Sequence, residues 1–116
     1  MTNHLTGAWT GASGRKYVYE INARHPKLSS NELGNYIYAK MDEHRRGVPI
    51  YIGEGNLTQR AATATRCVEG IDAKGATHIQ LHVYYDRDDR ETEVKDLLEN
   101  FPRAYAPDGC NEKKGC

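Results

Sequence analysis

The stretch GNYIYAKMDEHRRGVPIYIGEG, Gly34 to Gly55, decides how this chain is read. Its two ends alternate and are rich in aromatic and β-branched residues, the pattern of strands. Gly34–Lys40 is one strand. Val48–Gly53 is the next, with Pro49 near its beginning, where a missing N–H is tolerated. The polar connection MDEHRRG is short, so the two strands form an antiparallel pair. Side chains alternate along a strand. Tyr36 and Tyr38 therefore share one face and Ile37 takes the other. On the partner strand, Ile50 and Ile52 share a face and Tyr51 takes the opposite one. If the isoleucines meet, the tyrosines of both strands gather together, giving one apolar and one hydroxyl-rich face. Ile, Val and Phe would fill a core without hydroxyls that need partners.

Outward from this pair, KYVYEI (Lys16–Ile21) alternates as a strand, and TGASG before it is a turn that makes a hairpin with the Trp9 region. Asn22–Leu33 is a loop, broken by Pro26 and two serines. After Gly55 the period changes: Leu57, Ala61, Ala64, Val68 and Ile71 recur at helical spacing. Asn56 is the N-cap, and Gly70 or Gly75 ends the helix. Thr77–Tyr85 alternates again, with Ile79, Leu81 and Val83 inward and His78, Gln80 and His82 outward. DRDDRETEVKDLLENF then places Val94, Leu97, Leu98 and Phe101 on one helical face. Pro102 follows a helix end near Asn100. The order β-β-β-α-β-α predicts a small α/β (α+β) domain, a mostly antiparallel three- to four-stranded sheet flanked by two main helices.

A length of 116 residues suits one domain. With 38% hydrophobic and 28% charged residues, a folded chain is expected. No apolar run approaches the roughly 20 residues of a membrane-spanning helix, and the N-terminal residues lack the pattern of a secretory signal. The default expectation is cytoplasmic. Three cysteines, an odd number, argue against a disulfide framework. Lys plus Arg and Asp plus Glu balance at 16 each, which counts against strong nonspecific nucleic-acid affinity but leaves room for a local basic patch.

The order of elements and these residues resemble the GIY-YIG nuclease superfamily, in particular its small stand-alone members. GNY (Gly34–Tyr36) stands where that family has its first tripeptide, with Asn35 in place of the usual Ile. YIG (Tyr51–Gly53) matches the second as written. Arg60 falls at the first turn of the next helix, Glu93 on the last, and Asn111 after a Pro-containing segment. The resemblance covers residues 34–112, leaving 1–33 as an N-terminal extension with a strand or hairpin and 113–116 as a tail. Two features depart from the family pattern. Val94 occupies the strict glutamate position, so that Glu91 or Asp96 are alternatives to Glu93, and AATATRC lacks the histidine many members carry a turn after the arginine.

The resemblance implies a metal-dependent endonuclease hydrolysing DNA phosphodiester bonds by a one-metal mechanism. Glu93 would hold Mg2+ (or Mn2+) as Lewis acid and template. Arg60 would hydrogen-bond the phosphate oxygens. Tyr36 and Tyr51 would position the attacking water, and Asn111 would orient the site. Such a site needs the helix-borne acid and the paired phenols to face one another. A compact nuclease of this size also calls for a second DNA-contacting surface, from a homodimer or a protein partner. The alternative is a module that keeps the fold, lacks the chemistry, and binds nucleic acid or another partner. His78 and His82 share a strand face and could approach Cys110 as zinc ligands, but no close pair has zinc-ligand spacing.

Overall fold

The computed structural model describes residues 6–23, 32–44, 46–57, 70–71, 73–105 and 108–111. Five strands follow one another: β1 (Thr6–Thr10), β2 (Lys16–Ala23), β3 (Leu33–Met41), β4 (Gly47–Asn56) and β5 (His78–Val83). Helix α1 (Arg87–Asn100) and a 3-10 turn (Pro102–Ala104) complete the described elements. The sheet runs β1-β2-β5-β3-β4, antiparallel throughout, and curls into a half-barrel.

This corrects the expected three- to four-stranded sheet flanked by two main helices. The extra width comes from the N-terminal hairpin. Its β2 pairs with the central β5, Glu20 opposite Leu81 and Ala23 opposite His78, so the hairpin extends the same sheet. Among the described residues α1 is the single complete helix. Most of the helix expected over Leu57–Ile71 lies outside the described residues. At its ends Leu57, Gly70, Ile71 and Ala73 are helical. Gly75 closes it with φ +85°, a conformation that favours glycine, as Ala76 N–H reaches back to the Ile71 carbonyl at 3.2 Å.

The curl is visible in one side chain. Trp9 sits on edge strand β1, yet a Cβ added at Gly47, on the opposite edge strand β4, would lie 3.0 Å from its indole ring. Trp9 Nε1 also donates to Gln80 Oε1 on the central strand, at 2.7 Å. A buried indole N–H needs such a partner.

Cross-strand register sorts the side chains. Ile37 lies opposite Ile52 and Tyr38 opposite Tyr51, as alternation requires. The register then shifts, and Ala39 lies opposite Pro49. Proline has no N–H for the ladder, and the irregularity falls beside it. Ile50 accordingly joins the tyrosine face instead of sharing a face with Ile52.

Both faces are cores. On one, Trp9, Tyr19, Ile37, Ala39 and Ile52 pack beneath Leu97, Val94 and Leu98 of α1. On the other, Tyr36, Tyr38, Ile50, Tyr51, Ile79 and Leu81 pack with Leu57 and Ile71. The tyrosines do gather, but into a buried layer. Tyr36 and Tyr51 stack with centroids 5.8 Å apart, and Tyr38 meets Tyr36 edge-on. Gln80, expected to point outward, is buried beneath Trp9 on the α1 side, and burial lowers the pKa of His78 beside it.

Helix α1 starts where Asp86 accepts from Asp89 N–H and stops at Phe101, one residue before Pro102. Asp96 ties the β1–β2 turn to the helix, accepting from Ser13 N–H, Ser13 Oγ and Tyr17 Oη at 2.6–2.8 Å. No helix among the described residues is long and apolar enough to cross a membrane.

Candidate functional site

Glu93 is 3% exposed, on the face of α1 turned to the sheet. Its Oε2 accepts from Tyr19 Oη at 2.5 Å and Asn35 Nδ2 at 2.6 Å, and His82 Nδ1 lies 2.9 Å from it. The partners come from β2, β3 and β5, so one oxygen joins α1 to three strands. Tyr19 responds to this setting. Burial first, then the negative charge of Glu93 and the hydrogen bond to it, push the phenol pKa far above its ordinary range. It remains a donor. Asn35 Oδ1 is the one buried side-chain polar atom among the described residues without a partner.

The candidates among the described residues do not converge. Asn35 points to Glu93, and Tyr36, its neighbour on β3, points to the other face. Glu93 and the stacked Tyr36–Tyr51 pair are therefore separated by the sheet. The alternatives on the same helix do not reach the phenols either. Asp96 holds the hairpin turn, and exposed Glu91 pairs with Arg87 at 3.0 Å. Tyr36 and Tyr51 are 4% and 5% exposed. Asn111 is buried at the open edge of β4, where its amide donates to the Ile52 carbonyl at 2.9 Å and accepts from the Ile52 N–H at 2.8 Å. That reproduces a strand pairing with a side chain. Arg60 lies outside the described residues.

The donor set around Glu93 suits a buried hydrogen-bond acceptor better than a Mg2+ ligand. A cation needs oxygen lone pairs, and here an amide N–H and a phenol O–H are aimed at the same atom. No group of three or more His, Cys, Asp or Glu among the described residues is placed to hold a metal. Zinc ligation by His78, His82 and Cys110 is not formed. His78 contacts Thr77 and Gln80, His82 contacts Glu93, and Cys110 packs on the tyrosine face.

The structure adds residues that sequence reasoning did not single out. Arg90 is buried and donates to Glu54 and to the carbonyls of Tyr84 and Tyr85, pinning the segment that leaves β5. Tyr84 stacks on His82 at 5.3 Å with planes 9° apart. The sequence did carry one signal, an amide at Asn35 where the tripeptide usually has an isoleucine. That amide is the partner of Glu93. Comparison with protein-family models, curated proteins and solved structures finds no match to this chain.

Proposed function

We propose that this chain is a binding module, a domain that holds a partner on its surface and performs no phosphodiester chemistry with Glu93. The position of Glu93 carries this reading: the acid is buried against Tyr19, Asn35 and His82, across the sheet from the phenols it would have to serve. Asn111 is likewise engaged, by the backbone of Ile52. A working hydrolytic site keeps its reacting groups within reach of one substrate atom. The test is nicking of supercoiled plasmid with Mg2+ or Mn2+ present. The module leaves the plasmid intact, whereas nicking lost in both Glu93→Gln and Tyr51→Phe would overturn the proposal.

One observation favours a second reading, an endonuclease working on the tyrosine face. Leu57 and Ile71, which bracket Arg60 in sequence, pack onto the layer that holds Tyr36 and Tyr51. Nicking abolished by Tyr51→Phe and Arg60→Ala but retained by Glu93→Gln would select it.

A further inference from the structure

At the end of β5 the chain exposes three consecutive large apolar or aromatic residues: Val83, Tyr84 and Tyr85, the last 68% exposed. Val83 continues the face of Leu81, whereas Tyr84 turns with His82 towards α1, so Tyr84 and the more exposed Tyr85 beside the start of the helix form the candidate contact surface. Here it is held rigid from beneath. Arg90 Nη1 donates to the Tyr84 and Tyr85 carbonyls at 3.1 and 2.7 Å. Tyr84 stacks on His82, and its hydroxyl donates to Asp89 at 3.0 Å. A preorganised aromatic surface loses little freedom when a partner docks.

The rim of this patch is acidic. Asp86 caps α1, Asp88 and Asp89 occupy its first turn, and Glu54 and Glu91 stand beside Arg90 and Arg87. The two guanidiniums are already paired with those glutamates, and Arg90 is buried. The Tyr84 phenol pKa is raised, first by the hydrogen bond to Asp89, then by the charge of Asp89 and by desolvation, with the charges of Asp86 and Glu93 adding to it. A phosphate backbone would be repelled here, and a cation attracted.

We propose that the exposed Tyr84–Tyr85 pair docks a basic, arginine-bearing protein segment. A guanidinium would stack on the open Tyr85 ring, with flanking cations beside Asp86 and Asp88. Arginine suits both parts, as it stacks on aromatic faces and pairs with carboxylates. This inference rests on the binding-module reading and names its surface and the chemistry of its partner.

The experiment is fluorescence anisotropy with three labelled probes: an Arg/Lys-rich peptide, its Glu-substituted counterpart and a single-stranded oligonucleotide. The full chain is used, beside Tyr85→Ala and Asp88→Asn, both exposed positions. The basic peptide alone should bind, more weakly as salt rises towards ~0.5 M. Each variant should weaken it about tenfold, the size of a moderate hot spot. Absence of basic-peptide binding, binding indifferent to Tyr85→Ala, or preference for the oligonucleotide overturns the proposal. Each of those results can occur with the plasmid intact, so they are separable from failure of the binding-module reading, which plasmid nicking reports.

Discussion

At the scale of single residues, the chain's least expected feature is an asparagine. Asn35 is fully buried in β3 and donates to Glu93, 58 positions away. Removing one partner of a buried polar pair leaves the other unsatisfied, at about 1–3 kcal/mol. Asn35→Leu should therefore lower the unfolding free energy by about that amount in a urea titration. Tyr19 adds a pH signature. Its pKa is raised above 10.0 in the folded chain by burial and by Glu93, so the folded state keeps a proton that the unfolded state releases near that value. The stability this contributes is complete below pH 10 and declines as pH rises beyond it. Unfolding curves between about pH 8 and 11 should show that alkaline decline in the native chain and a flatter one in Tyr19→Phe. Neither residue could be assigned from sequence, because the partners come from separate strands and nothing local marks them.

Among the elements, legibility followed periodicity. β3, β4 and α1 each carry several residues of clear alternation or helical spacing, and all three form where the pattern places them. The Gly75 helix end and the stop before Pro102 were equally local signals. The bulge beside Pro49 was not, since it depends on how two strands register, and it moved Ile50 across the sheet. The tripeptide glycines have packing reasons of their own. A Cβ at Gly53 would lie 2.5 Å from the Tyr36 hydroxyl, and one at Gly34 would collide with the His82 carbonyl. Gly53→Ala should cost about 1–3 kcal/mol as overpacking and disturb the Tyr36–Tyr51 stack, readable in near-ultraviolet circular dichroism. At the β4 edge, Asn111 takes the place of a neighbouring strand. Asn111→Ala should cost about 1–3 kcal/mol and leave the edge free to pair with other chains. Light scattering at rising concentration checks the second effect.

For the whole molecule, what matters is which side of the sheet each group occupies. The phenols lie on one side with Leu57 and Ile71, and Glu93 lies on the other beneath α1. The sequence motifs specify both correctly as members of their strands and helix. They do not specify that the N-terminal hairpin widens the sheet and supplies Tyr19, which helps hold the acid in the interior. The central claim is that Glu93 holds four elements together, and the unfolding free energy of Glu93→Ala tests it most directly. A phenol, an amide and an imidazole left around an empty carboxylate position should cost about 3 kcal/mol or more. Unchanged or increased stability in Glu93→Ala, the usual result of removing an acid kept for catalysis, would contradict it.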